Sequence, residues 1–257
     1  MTGGNKYVTR LFGKSLKIKP VTQIKYDCKT KKVYYFTFLD PCINDYTLAN
    51  DNFLELTNTN DYFFLTSGEI DGVRYDEYLK SKNIRGTYIH SEKNSYVIKF
   101  NLLKKYLEEN RNNYEDTIFC KIDTDLVHYK VKTFHDFLNF MFCKDKNILL
   151  GNEIPIGYKG WIRGGLNAVY IDSILKCPYL DETFKENSFD DIYTWTLERN
   201  NITKRMFVYL FSLAEDIDLK VFATHTVGKG LTSSKIDEVV DLNKKLKLVF
   251  KDTGIYT

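Results

Sequence analysis

Apolar and polar positions along the first half of the chain fall into short dense runs separated by helix-spaced segments. Val33-Tyr34-Tyr35-Phe36-Thr37-Phe38-Leu39 is an aromatic and β-branched run closed by Asp40-Pro41, which predicts a buried strand. Residues 46–57 follow with helix-like spacing of Leu48, Phe53, Leu54 and Leu56. Tyr62-Phe63-Phe64-Leu65-Thr66 predicts a second strand, ended by Ser67-Gly68. A short polar helix over 74–82, a weaker strand at Gly86-Thr87-Tyr88-Ile89-His90, a helix from Asn101 to Glu109 and a strand over Thr117-Ile118-Phe119-Cys120-Lys121-Ile122 complete the half. Alternation of this kind predicts an α/β fold with a Rossmann-like, mainly parallel central sheet and helices on both faces. Ligands of such sheets bind beyond the carboxyl ends of the strands, where Asp40, Ser67 and Asp123 fall.

The second half is less regular. Phe134 to Phe142 reads as a helix and Asn147 to Leu150 as a short strand. Tyr158 to Gly165 is rich in glycine and aromatics, Ala168 to Ile174 is apolar, and Asp191 to Asn200 opens like a helix. Lys204 to Leu213 is apolar enough to predict a buried helix, Lys220 to Ala223 a last strand, and 234–248 an amphipathic, lysine-rich helix. No repeat, low-complexity stretch or proline-rich linker interrupts the 257 residues, so they read as one domain.

Composition excludes more than it identifies. The net charge of +3 is too small to imply nucleic-acid binding by itself. The lysine groups at 14–19, 29–32 and 244–247 suit solvated faces. Five cysteines, an odd number without a CxxC pair, make a reducing compartment the simpler reading, and Cys120 and Cys177 sit in apolar surroundings that suit small buried hydrophobes. The chain opens on Met1 with no apolar signal region and holds no run of 18 apolar residues. A cytoplasmic location without a membrane span is therefore the expectation.

Chemistry concentrates at Asp123-Thr124-Asp125, directly after an apolar strand. Alternation along an extended segment points both carboxylates the same way, and two hard oxygen ligands beside a ligand site suit Mg2+ or Mn2+. Such a cation would bridge diphosphate oxygens and neutralise charge on a leaving nucleotide. Taken alone, the pattern is also what a polar turn capping a helix would give.

Further segments share an order with a known group. Lys121-Ile122-Asp123-Thr124-Asp125-Leu126-Val127 resembles the strand and acidic motif of the β1,3-galactosyltransferase, N-acetylglucosaminyltransferase and Fringe superfamily. Asn101-Leu102-Leu103-Lys104-Lys105 is similar to the preceding helix, where a lysine approaches the donor. Arg163-Gly164-Gly165-Leu166-Asn167-Ala168-Val169-Tyr170-Ile171 is similar to the Gly-Gly segment and the strand after it. Asp190-Asp191-Ile192-Tyr193-Thr194 resembles the acidic motif of the catalytic helix, and His225 the late histidine that completes the metal site. The resemblance covers roughly residues 33 to 230. It departs in a longer gap between Asp191 and His225, in the lack of Cys-Ser before the glycines, and in the first 32 residues, which match nothing in the group.

The resemblance implies a GT-A-type single domain: an N-terminal extension over 1–32, a nucleotide-sugar-binding half over 33–130, and an acceptor-binding and catalytic half over 131–257. It implies a metal-dependent, inverting hexosyltransferase using a nucleotide-sugar, UDP-linked, with Mn2+ (or Mg2+) on Asp123, Asp125 and His225. Asp125 would touch the metal directly, while Asp123 would do so directly, through water, or serve the donor's ribose or sugar. An acceptor hydroxyl needs a general base; Asp191 is the candidate, with Asp190 beside it as helix cap or alternative base. Asp40, Lys104, Asp123, Arg163, Gly164 and Gly165 are the candidate donor contacts, Arg163 as a phosphate partner and the glycines as close-approach points. Tyr158 and Trp161 are candidates for stacking on a sugar, while His128 and His135 receive no role. The acceptor would be a glycan, a protein or a small molecule. The alternatives are hydroxymethylated bases of DNA, as for virus-encoded enzymes, and a non-catalytic nucleotide-binding domain.

Overall fold

The computed structural model describes residues 29–153, 162–183, 189–218, 220–226 and 233–253, apart from the side chains of Arg163, Asp191 and residues 233, 234 and 250–253. The elements in chain order are β1 (Val33–Leu39), α1 (Asn44–Ala49), α2 (Asp51–Thr59), β2 (Asp61–Ser67), β3 (Glu69–Ile70), β4 (Val73–Arg74), α3 (Tyr75–Ser81), β5 (Thr87–Ser91), α4 (Tyr96–Glu109), β6 (Ile118–Ile122), β7 (Leu126–His128), α5 (Val131–Lys144), β8 (Ile148–Glu153), β9 (Ile162–Tyr170), α6 (Ile171–Lys176), α7 (Phe189–Arg199), β10 (Lys204–Phe207), β11 (Phe211–Leu213), β12 (Ala223–His225) and α8 (Ser233–Thr253).

Seven strands form the central sheet in the order β10-β8-β9-β6-β1-β2-β5. Only β9 runs against its neighbours, so the sheet is mainly parallel, as the alternation predicts. β1 and β2 are buried along nearly their whole length, which is why they read as unbroken apolar runs rather than alternating ones. Their rings pack on one another, with Tyr35 and Tyr62 stacked at 5.1 Å and Phe63 and Phe119 at 5.7 Å. One continuous core reaches from Val33 to Ala223, so the two expected halves share a single interior.

A smaller sheet, β11-β12-β7, stands beside the main one and carries the far wall of the site. Here the chain departs from the sequence reading. The apolar run 204–213 forms no helix: β10 pairs with β8 and β11 pairs with β12. The expected helix over 46–57 is two helices broken at Asn50, whose side chain accepts from Phe53 N at 3.3 Å and so caps α2. Asp190 does not cap α7, because the helix already begins at Phe189. Cys42, Cys120 and Cys177 are free, Cys120 and Cys177 buried as their apolar surroundings predict, whereas Cys143 is disulfide-bonded, which a reducing compartment does not predict. No described helix is long and apolar enough to cross a membrane.

Candidate metal centre

Two strand pairings assemble the site. Antiparallel pairing of β6 with β9 sets Ile122 opposite Leu166, and Asp123 N then donates to Gly165 O at 2.9 Å. Pairing of β12 with β7 sets His225 opposite Leu126, and Thr226 N donates to Asp125 O at 3.3 Å. The Asp-Thr-Asp turn is thus clamped from both sides at the carboxyl edge of the sheet. From below, Asn50 donates its amide to Thr124 O at 2.7 Å, and the Thr47 and Thr124 hydroxyls meet at 2.9 Å. That network explains the break in the helical segment: Asn50 leaves the helix to hold the turn.

Asp123, Asp125 and His225 each offer one ligand atom, all within 4.8 Å of one another. His225 Nε2 lies 3.5 Å from Asp123 Oδ2 and 3.3 Å from Asp125 Oδ1. Two carboxylate oxygens and an imidazole nitrogen are a donor set that Mn2+ accepts readily and Mg2+ accepts through its oxygens. Burial works to lower the His225 pKa, but the hydrogen bond to Asp123 and the charges of Asp125 and Asp123 overrule it and raise it. Burial likewise opposes ionisation of Asp123, and Lys121 and His225 reverse this, holding its pKa at about 2. Asp123 is therefore a carboxylate, as a metal ligand must be.

Cations surround the acids. Lys121, buried in β6, reaches Asp123 Oδ1 at 3.0 Å, Gly164 O at 2.6 Å and Asp190 Oδ1 at 3.4 Å. It ties the first turn of α7 to the acidic turn, and burial, which would lower its pKa, is outweighed by Asp123 and Asp190, which raise it. Lys235 of α8 meets Asp125 Oδ2 at 2.5 Å, and the Thr226 hydroxyl donates to the same oxygen at 3.0 Å. Oδ2 of Asp125 is thereby engaged, and Oδ1 faces His225.

The remaining expected residues divide. Gly164 and Gly165 lie in β9, and their bare Cα atoms make room for side chains of the site itself. A Cβ on Gly164 would stand 2.0 Å from Asp190 Oδ2, and one on Gly165 2.7 Å from His225 Cδ2. Asp40 follows β1 at the same edge and accepts from Cys42 N at 2.9 Å. Lys104 is not brought to the triad: it pairs with Glu108 and donates to Leu175 O at 2.9 Å, fastening α4 to α6. On the same helix Lys99 instead lies at the strand ends, donating to Leu39 O at 3.3 Å and to Asn94 Oδ1 at 2.9 Å. Arg163 sits in β9 and Asp191 in the first turn of α7. Tyr158 and Trp161 lie outside the described residues. Lys235, Thr226 and Asn50 belong to no motif, and Lys121 opens the acidic segment without a role being given to it.

No protein-family model and no curated protein matches the chain in sequence. Among solved structures it is similar to a glycosyltransferase involved in the glycosylation of the major capsid of PBCV-1. That likeness has 14% identity over 81% of this chain and 98% of that one, with a TM-score of 0.46. It is also similar to mannosyltransferase PcManGT from Pyrobaculum calidifontis, solved in complex with GDP-Man and Mn2+. Here identity is 11% over 80% of this chain and 61% of that one, with a TM-score of 0.50. This chain therefore spans less than two thirds of the mannosyltransferase chain. The fold is one that glycosyltransferases use. At such low identity the likeness speaks to the fold alone, and the chemistry must be argued from the site.

Proposed function

We propose that the protein is a metal-dependent, inverting glycosyltransferase that passes a sugar from a nucleotide-sugar, read here as a UDP-sugar, to a hydroxyl acceptor. The observation that carries this reading is the meeting of Asp123, Asp125 and His225 at the carboxyl edge of a Rossmann-like sheet. A divalent cation held there supplies charge neutralisation for a diphosphate leaving group. PcManGT was solved with GDP-Man and Mn2+, which makes Mn2+ the first cation to test and GDP-linked donors a test beside UDP-linked ones. The order of the acidic, Gly-Gly and late histidine segments supports placement near the β1,3-galactosyltransferase and Fringe group.

In this reading Asp191 takes the proton of the acceptor hydroxyl. The acceptor oxygen bonds to the anomeric carbon while the bond from that carbon to the phosphate oxygen breaks, and the electron pair leaves with the nucleotide diphosphate. Asp190 is held by Lys121, which leaves it an orienting carboxylate and makes Asp191 the better base. Arg163 and Asp40 are assigned to the donor, Arg163 to its phosphates. Lys121 keeps Asp123 ionised and fixes α7 against the acidic turn.

A thermal-shift panel of nucleotide-sugars with Mn2+ tests donor and metal together, because a ligand that binds only the folded state raises its apparent stability. Stabilisation by one donor class, lost with EDTA and in Asp125→Ala, is the expected result. Transfer that survives chelation, or no stabilisation by any nucleotide-sugar, refutes the reading. Asp191→Asn should abolish transfer while retaining donor stabilisation; equal transfer by Asp191→Asn and wild type would move the base elsewhere.

A further inference from the structure

The carbonyls on either side of Asp125 share one donor. Asn50 Nδ2 donates to Thr124 O at 2.7 Å and to Leu126 O at 3.3 Å. Asp125 O itself accepts from Thr226 N at 3.3 Å. Three successive carbonyls are thereby tied down, and with them the direction in which the Asp125 carboxylate leaves the chain. Asn52 holds His128 by both backbone groups, donating to His128 O at 3.0 Å and accepting from His128 N at 2.8 Å. His128 ends β7, whose pairing with β12 places His225. One asparagine braces the acidic turn, and the other braces the strand that positions the histidine.

Both converge on a third asparagine. Asn243 of α8 donates to Asn50 Oδ1 at 3.1 Å and to Val239 O at 2.8 Å, and it accepts from Asn52 N at 3.3 Å. Each of the three amides meets a backbone N–H with its oxygen and a backbone carbonyl with its nitrogen, which fixes its orientation. Asn50, Asn52 and Asn243 are 0%, 8% and 4% exposed. About two turns earlier on the same helix, Lys235 meets Asp125 Oδ2 directly. The helix therefore approaches the acidic turn at two heights.

Packing alone does not call for an amide at 243. Its neighbours Leu242 and Leu246 seat α8 on Val127 and Tyr129 by apolar contact, and an apolar side chain would suit the same buried face. A buried amide costs free energy unless it is paired, and a paired network holds one arrangement of its members against others. What Asn243 holds is the pair of asparagines that brace Asp125 and the strand beside His225.

We propose that Asn243 is a positioning residue of the candidate metal centre: acting chiefly through Asn50, it holds Asp125 in the direction a divalent cation requires, without touching the cation's ligands. Resting on the metal-dependent reading, this role extends the centre to α8, beyond residues 33–230 where the family resemblance ends. The test is calorimetric titration of the full chain with Mn2+, without nucleotide. Loss of a group bonded directly to metal ligands lowers affinity about 10–100-fold, and Asn243 stands one bond further out, so Asn243→Ala should weaken Mn2+ binding about fivefold. In an Asn50→Ala background the same change should cost at most about twofold, because the relay is already broken. Asn101→Ala is the control. Asn101 is likewise buried and bonds Leu180 through both ends of its amide at 2.9 Å, so its loss should lower stability in urea and leave Mn2+ affinity unchanged. Asn243→Ser, the gentler change, is read in the same way if Asn243→Ala does not fold. In the metal-free protein, amide hydrogen exchange over residues 123–128 should quicken in Asn243→Ala more than in Asn101→Ala. Three results overturn the proposal: unchanged Mn2+ affinity in Asn243→Ala, an equal loss in Asn101→Ala, or an undiminished effect in the Asn50→Ala background. Failure of the metal-dependent reading shows itself differently, as no Mn2+ binding by the wild type, and would remove this inference with it.

Discussion

His128 ends β7 with its ring fully enclosed, 5.0 Å from the Phe134 ring and 6.3 Å from that of Tyr35. Burial, aided by His135, lowers its pKa from 6.5 to about 3, so the folded protein holds it neutral. The unfolded chain takes up the proton near pH 6.5, well before the folded one. The contribution of His128 to stability is therefore whole above about pH 6.5 and is lost as the pH falls toward about 3. At pH 5 the unfolded state has gained about 1.5 pH units of protonation at about 1.36 kcal/mol each, a loss of about 2 kcal/mol. That figure does not depend on where below about pH 4 the folded titration lies, and it is a large part of a typical stability of about 5–15 kcal/mol. The assay is urea unfolding of wild type and His128→Phe at pH 7.5 and 5.0, followed by tryptophan fluorescence. The drop in stability between the two pH values should be about 2 kcal/mol smaller in the variant, whatever constant offset the new ring introduces. Equal drops would refute the assignment. Because β7 pairs with the strand that carries His225, mild acid should loosen the Asp123, Asp125 and His225 cluster together with the fold.

Three other outcomes follow from the geometry. Asp125→Asn and His225→Ala should each weaken Mn2+ binding at least tenfold, about 1.4 kcal/mol, in calorimetry without nucleotide; unchanged affinity would remove them as ligands. Lys235→Met should tighten Mn2+ binding several-fold in the same assay, because Asp125 Oδ2 would no longer be shared with an ammonium group; weaker binding would instead make Lys235 an orienting partner. Gly164→Ala should cost about 1–3 kcal/mol in urea unfolding, since its Cβ would stand 2.0 Å from Asp190 Oδ2. Adding Asp190→Ala should recover most of that loss, and strictly additive losses would show that the clash is not the cause.

Legibility of the fold followed burial. β1, β2 and β6 are dense apolar runs because parallel strands in a covered sheet have no solvent face, and each was readable to within a residue. Residues 204–213 misled for the same reason inverted. A short apolar stretch has no period long enough to separate helix from strand, and Met206-Phe207-Val208 suits either. What decides is tertiary: β8 offers an open edge that β10 fills, and β12 offers one that β11 fills. The break at Asn50 was hidden likewise, because the partner that draws its side chain, Thr124, lies 74 residues away.

At the site, strand ends and motif order single out Asp123, Asp125 and His225, which the fold brings within 4.8 Å of one another, whereas the face a helical residue turns is not legible in sequence. Lys99 and Lys104 show the difference. Both lie on α4, five residues apart, which on a helix is about 140° of rotation. They cannot serve one ligand, and the sequence supplies the helix without saying which face meets the strand ends. Lys99 turns toward Leu39 O and Lys104 toward Leu175 O. Gly164 and Gly165 carry the same lesson further. A missing side chain signals that something approaches closely, and a nucleotide-sugar was the natural candidate beside an acidic turn. The approaching groups are Asp190 and His225, from elements later in the chain. The glycines thus shape the candidate metal centre from within, by letting α7 and β12 close on it.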